Sequence, residues 1–411
     1  MQRSFSTSKA AFRALWLIAL AFSSGALLAQ QPGGFAGERE KAVQLSNEKK
    51  YAEALPLLEK LSTDKQADGQ IFLGIGFAYW NTQDPNVPAK FKPVRLKARV
   101  AFLRAKELGV SVPEVDLMIA SIKPDGGNKG DSDNPEAQAA MLEAFPMFAA
   151  GNYKKAVVAY EKAATLDPSH YEASLYTGNT YYALKDYDKA GIWFAKAITL
   201  DPNRETAYRY WADGLFNNGK VNEAVDKYFD AIIAEPYSSS AWRGLIQYGQ
   251  RKSVKLAHPK IDVPVDFSSS ADGNTKITLG NIMGGKDDDG SFAWTMYGMS
   301  RAMWQTDKEG KLSKEFAAAY PGEKTYRHSL AEETAAFRSV LLVLKENKKA
   351  KKPERSIALL KSVDEAGLIE VYILFARSDD GIKQDYAAYR QNNREKLKRY
   401  LAEYVIKNGG N

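Results

Sequence analysis

The 411-residue sequence contains no cysteine and only three histidines, His170, His258 and His328. Lacking cysteine, it has no disulfide framework, no thiolate-held zinc or iron centre and no thiol nucleophile. Three imidazoles far apart in the chain supply a catalytic metal poorly. The G-x-S-x-G elbow, the H-E-x-x-H helix and the Walker phosphate loop are also missing. A non-enzymatic chain is therefore expected, with no catalytic residue, no metal site and no cofactor. Its apolar runs fall short of the roughly 20 residues needed to cross about 30 Å of hydrocarbon. Aromatic residues make up 11% of the chain, enough to fill sizeable cores. At about 150 residues per domain, the length predicts two to three domains.

The first 29 residues read as a secretory signal peptide. Arg3, Lys9 and Arg13, with no acid among them, precede an apolar run from Ala14 to Phe22 and small residues at Ser23 to Ala26. Cleavage after Ala29 is expected, with cleavage after Ala26 as the competitor and an uncleaved anchor as the alternative. Such a leader targets the protein to a periplasmic or secreted location, with no stable membrane span after cleavage. Its removal lowers the net charge from +7 to +4, so the basic balance gives no reason to expect a nucleic-acid partner.

Self-similarity dominates the middle of the chain. Asp167-Pro168, Asp201-Pro202 and Glu235-Pro236 are spaced by 34 residues twice over. In phase with them fall Ala156, Ala190 and Ala224; Tyr160, Phe194 and Tyr228; and Ala163, Ala197 and Ala231. Gly178 and Ala212 share a further phase, and a shared helix start recurs at Asn152–Ala156, Asp186–Ala190 and Lys220–Ala224. This pattern resembles the tetratricopeptide repeat, a helix-turn-helix unit with small residues at the close helix crossing, an aromatic knob and a proline after the second helix. The resemblance implies an all-α solenoid of stacked helix pairs, because one 34-residue pair cannot bury its apolar face alone.

Three units are expected at 135–168, 169–202 and 203–236, followed by a half-unit, Ser238 to Lys252, that carries Trp242, so the array spans 135–252. Upstream, residues 30–122 hold two divergent units, marked by Ala54, Leu58 and Leu61 and then by Gly74, Phe102 and Ala105. A proline-rich insertion at 84–93 separates the two helices of the second unit. Residues 123–134, rich in Gly, Asp and Asn, read as a linker. In 253–411 the 34-residue register is lost. Alternation at 258–267 and 275–279 predicts a short extended segment, and helical patterns return at 291–306, 329–347, 354–361, 365–376 and 381–407. This last third is expected to be mostly helical and to serve as a separate domain or as a cap on the repeat array.

In such repeats the first helix of each unit lines the concave face. Helical spacing places Met141, Phe145 and Phe148 there, then Leu175, Asn179 and Tyr182, then Arg209, Asp213 and Phe216, then Arg243 and Gln247. These residues form the predicted peptide-binding groove. It suits a protein or peptide partner of the cell envelope with an apolar patch and an acidic group near Arg209 and Arg243. Some family members clamp a terminal carboxylate with lysines and asparagines. Here Met141 and Phe145 stand where lysine and asparagine would be wanted, so that clamp is not expected.

An alternative makes the repeats a docking arm for a glycan-binding or catalytic last third, with Trp294, Tyr297, Trp304 and Tyr320 as stacking rings. Lys286–Ser291 reads as an acidic loop capping the following helix rather than a calcium site. The basic run from Lys345 to Arg355 reads as an exposed loop between helices.

Overall fold

The computed structural model describes residues 34–82, 91–128, 130–269, 275–280, 282, 289–307, 309–346 and 353–406. The signal segment 1–29, most of the proline-rich insertion, Lys286–Asp288 and the lysines at 348–352 lie outside the described residues. Among the described residues the chain is all-α apart from one short hairpin, and it divides into two compact units, Met1–Leu200 and Asp201–Asn411. The division falls inside the repeat array rather than at residue 252 or 253.

In the first unit, α1 (Phe35–Asn47), α2 (Tyr51–Ser62), α3 (Gly69–Asn81) and α4 (Phe91–Glu107) form the two divergent pairs. A short α5 (Pro113–Ser121) follows. Then come α6 (Pro135–Ala149) with α7 (Tyr153–Leu166), and α8 (Tyr171–Ala183) with α9 (Tyr187–Leu200). Local chemistry sets the helix ends. The Asp68 carboxylate accepts from the Gln70 and Ile71 amides at the start of α3. The Asn134 side chain accepts from the Glu136 and Ala137 amides, with Pro135 in the first turn, at the start of α6. The α7 and α9 helices stop at Leu166 and Leu200, two residues before Pro168 and Pro202, because proline has no N–H to extend the ladder.

The in-phase residues are the ones removed from water. Ala156, Tyr160 and Ala163 are buried, as are Ala190, Phe194 and Ala197. Gly178 sits opposite Phe194, where an added Cβ would fall 2.8 Å from the ring carbon Cδ1. Upstream, the equivalent close approach is Gly76 against Phe102, at 2.5 Å from Cε1. Gly74, which the sequence reading put in that phase, faces Leu58 of the preceding helix instead. Two glycines of one helix, two residues apart, lie on different faces, and only the ring opposite identifies the repeat position.

The 123–134 segment is a folded turn rather than an open linker. The Lys123 amide donates to Gly127 O (2.6 Å), Arg95 pairs with Asp131 (2.9 Å), and the Ser132 hydroxyl donates to Asp167 (2.5 Å). Its Asp and Asn side chains bind nearby backbone amides, which is why a turn-forming composition yields order here.

The second unit opens with α10 (Glu205–Asn217), α11 (Val221–Ala234) and α12 (Ser239–Lys252). The expected extended segment is an antiparallel hairpin, β1 (Val265–Ser269) with β2 (Thr275–Leu279), pairing Val265 with Leu279 and Phe267 with Ile277. A 3₁₀ turn (Ser291–Trp294) leads into α13 (Thr295–Met303), followed by α14 (Lys314–Ala319), α15 (Leu330–Glu346) and α16 (Arg355–Glu365). The chain ends on α17 (Ile369–Tyr372) with a wide π-type turn to Arg377, and α18 (Tyr386–Tyr400) with a similar turn to Val405.

One continuous core joins the repeat helices of this unit to the last third. Ala212, Tyr228, Ile232 and Leu245 belong to the same buried cluster as Trp294, Phe337, Tyr372 and Tyr400. Each large apolar side chain so buried contributes roughly 1.5–3 kcal/mol. The basic face of α18 is also committed to the repeats. Arg390 donates to Ala234 O, and Arg394 donates to Pro202 O and to Asn203 Oδ1, both at 3.0 Å. Lys398 pairs with Asp226 (2.8 Å) and Asp230 (2.9 Å). Cations at the last carbonyls of a helix satisfy acceptors that have no partner within it and complement its dipole. The last third therefore shares its core and its basic helix with the repeat helices of the second unit.

Candidate functional site

In the first unit the predicted groove residues separate into core and surface. Met141, Phe148 and Leu175 are buried, because a stripe three and four residues apart on a helix packed between neighbours turns partly inward. Phe145 is 40% exposed. Its ring meets the edges of Tyr160 (centroids 5.9 Å apart) and Tyr176 (5.2 Å), and Tyr160 and Tyr176 stack on each other at 5.7 Å. Asn179 and Tyr182 are half-buried, with Tyr182 edge-on to Tyr187 at 5.7 Å. The surface of α6 and α8 thus offers an apolar aromatic shelf centred on Phe145.

The second unit corrects one predicted role. Arg209 is buried, and its guanidinium grips Glu205 in a two-pronged pair (2.8 and 3.2 Å) while lying 4.6 Å over the Tyr210 ring. Its charge is neutralised within its own helix and does not reach an outside carboxylate. Asp213 is likewise internal. Burial raises its pKa even though the Tyr228 hydroxyl donates to it at 2.6 Å. Phe216 stands edge-on to Tyr248 (6.3 Å) beneath the Arg251 guanidinium (5.1 Å).

Arg243 and Gln247 are exposed on α12, and Arg251 extends the same stripe by one more turn. Neither Arg243 nor Arg251 has a carboxylate in salt-bridge range among the described residues, and α12 contains no acid of its own. This exposed pair of cations, one of them over the Phe216 ring, was legible only in part. Arg243 stood in the predicted phase, whereas Arg251, two turns further on in a half-unit expected to reach Lys252, was not among the predicted groove residues.

A second polar cluster escaped sequence reading altogether. On α15, Glu332 and Glu333 are both buried. Glu332 receives Arg301 (3.0 Å) and the Tyr326 hydroxyl (2.8 Å); Glu333 receives the Tyr297 hydroxyl (2.9 Å), Arg377 (3.1 Å) and His328 (3.2 Å). Burial would raise the Glu333 pKa, but His328, Arg377 and Arg301 outweigh it and hold the carboxylate low. At Glu332 burial wins and the pKa is raised. Residues from positions 297 to 379 converge here, a separation that no local motif reports.

The rings offered for glycan stacking are not available together. Trp294 and Tyr297 are buried in the core, and Tyr320 spends its hydroxyl on Asp385 at 2.9 Å. The cap of the turn from Ser291 is Gly290, and Asp289, one residue earlier, accepts from the Ser291 amide at 3.0 Å. Among the described residues no group of three or more His, Asp or Glu side chains has the geometry to hold a metal ion.

Residues 148–205, which cover α7, α8 and α9, match the family model for the tetratricopeptide repeat. The chain carries tetratricopeptide repeats.

Solved structures similar to this tetratricopeptide-repeat chain include the first repeat domain of Spaghetti (RPAP3) bound to an HSP90 peptide, at 23% identity. The match covers 29% of this chain and 96% of that one, with a TM-score of 0.28. The translocator chaperone SycD of Yersinia enterocolitica matches at 20% identity over 30% of this chain and 92% of its own, TM-score 0.26. YrrB, described as a repeat protein with an unusual peptide-binding site, matches at 16% identity over 52% and 92%, TM-score 0.25. No curated protein matches the chain.

Proposed function

We propose that this chain is a non-enzymatic scaffold of the cell envelope that binds a protein or peptide through the first helices of its repeats. The observation that carries this reading is the exposed cationic stripe of α12, Arg243 and Arg251 beside Gln247, with Arg251 lying over the Phe216 ring that meets Tyr248. Exposed guanidinium groups with no salt-bridged carboxylate among the described residues favour an acidic partner, since a charge-assisted and often bidentate hydrogen bond is the strongest neutral-pH contact they can make. In the first unit the Phe145 shelf suits an apolar side chain. Placement in the envelope rests on the leader-like residues 1–29, and no described helix is long and apolar enough to cross a membrane.

The test is capture of partners from envelope extract on immobilised full chain, comparing wild type with F145A, with R243E/R251E and with I192S. Ile192 is 69% exposed on α9, a second helix of its repeat. Loss of capture in the first two variants and its retention in the third is expected. Equal capture by all four proteins, each folded by circular dichroism, would contradict the assignment. Fractionation of cells expressing the tagged chain checks the location.

A further inference from the structure

His328 has both ring nitrogens directed at carboxylates: Nε2 lies 3.2 Å from Glu333 and Nδ1 lies 2.6 Å from Asp379. A neutral imidazole has one donor and one lone pair, so one of these contacts would set a lone pair against a carboxylate. Only the imidazolium donates to both. Because the two carboxylates belong to different elements, the ring joins them. Glu333 is on the first turn of α15, and Asp379 follows the turn that ends α17.

The segment after Arg377 is held closely at this point. Gly381 lies so near the His328 backbone that a side chain would collide with it. Asp379 also accepts from the Gly381 (3.0 Å) and Ile382 (2.9 Å) amides. Four residues further on, the segment reaches the repeats, where the Tyr386 hydroxyl donates to Ile233 O at 2.8 Å and its ring meets Tyr237 edge-on at 5.6 Å.

We infer that His328 is a proton-operated latch: its imidazolium ties the segment from Arg377 to Tyr386 to the start of α15 and so fixes the cap on α11 and α12. When the ring loses its proton one contact sets a lone pair against a carboxylate, and the Asp379 end is the one released, because the Asp379 side chain is half-exposed and can turn to water, whereas Glu333 is buried and stays fixed by Tyr297 and Arg377. The charges around the ring are mixed. Glu332 and Glu333 face it from α15, Arg301 and Tyr297 from α13, and Arg377 and Asp379 from the far segment. Arg327, next in sequence, is occupied by Glu323 (2.8 Å) and Asp385 (2.6 Å), a second tie to the same segment that does not titrate near neutrality. Opening is therefore local rather than global. Burial works against the charged ring, but the Glu333 hydrogen bond prevails and raises the His328 pKa.

The test uses the full chain with ring-labelled histidine, whose three signals are followed by NMR against pH, together with amide hydrogen exchange across 378–386. The expected His328 midpoint lies above the ordinary value of about 6.5. Protection of these amides, corrected for intrinsic exchange, is expected to fall as pH passes that midpoint, about tenfold for each unit of elevation. D379N keeps the oxygen that caps Gly381 and Ile382 while removing the charge, and should move the midpoint down towards 6.5. H328Q should give a flat protection profile; if it does not fold, D379N alone decides. A midpoint at or below 6.5, protection that does not change through the titration, or an unaltered midpoint in D379N would overturn the latch.

Discussion

The Tyr228 ring lies against the backbone of Gly244 so closely that a Cβ at 244 would overlap ring carbons Cδ1 and Cε1. The ring cannot swing aside, because its hydroxyl is fixed to Asp213 at 2.6 Å. G244A is therefore expected to destabilise the second unit by about 1–3 kcal/mol through overpacking, a loss that exceeds the roughly 1 kcal/mol alanine gains in helix propensity. Urea unfolding checks this, and a variant as stable as wild type would contradict it.

The turn inside each repeat gives a prediction of opposite sign. Gly151, Lys185 and Gly219 fall 34 residues apart and all take positive φ, at 78°, 62° and 79°. Lysine at 185 bears the steric cost of the left-handed region that glycine avoids. K185G should stabilise the first unit by up to about 1 kcal/mol, read as a rise in its unfolding midpoint, and an unchanged or lowered midpoint would count against the strain.

Buried and exposed arginines of the predicted groove should behave differently. E205A strands the buried Arg209 charge and is expected to cost about 3–5 kcal/mol, whereas R243A should change stability by less than about 0.5 kcal/mol and reduce partner capture. Denaturant titration beside the capture assay separates the two. A stable E205A or an unfolded R243A would reverse the roles assigned here.

Two histidines of the second unit should titrate stability in opposite directions. His258 sits in an aromatic pocket, stacked on Tyr400 (5.9 Å) and edge-on to Trp242 (5.5 Å), and burial lowers its pKa. The unfolded chain then binds the proton more readily, so His258 costs stability as pH falls below about 6.5. The His328 pKa is raised, so its contribution is complete below about 6.5 and is lost as pH rises through the folded value. Thermal melts against pH should lose the acid limb in H258F and the alkaline limb in H328Q. The same limb lost in both variants would refute this.

The repeat was legible because 34-residue spacing fixes Ala156, Tyr160 and Ala163, and their later counterparts, at helix crossings where size alone decides the residue. The groove was legible in phase but not in exposure. Met141 and Arg209 occupy concave positions by helical count, yet whether such a residue meets solvent depends on the neighbouring helix and on a partner such as Glu205. The cap was legible only as helices. Its junction with the repeats rests on Arg390, Arg394 and Lys398 reaching residues more than 150 positions upstream, in part on carbonyls with no sequence signature. The cluster of His328, Glu333 and Arg377 joins three separate elements, so no spacing rule could reveal it.

The shared core also bears on the fragment 253–411. Without Tyr228, Ile232 and Leu245, the surfaces of Trp294, Phe337 and Tyr400 lose part of their cover. The fragment is expected to be molten or insoluble when expressed alone, and a cooperative unfolding transition for it would show an independent domain.

The most direct measurement places a photo-crosslinking amino acid at 145, 243 or 192 of the full chain in living cells and reads adducts by mass spectrometry. A partner that binds the first helices gives adducts from 145 and from 243, each at many times the yield from 192. Adducts confined to 192, or equal at all three positions, would contradict the account.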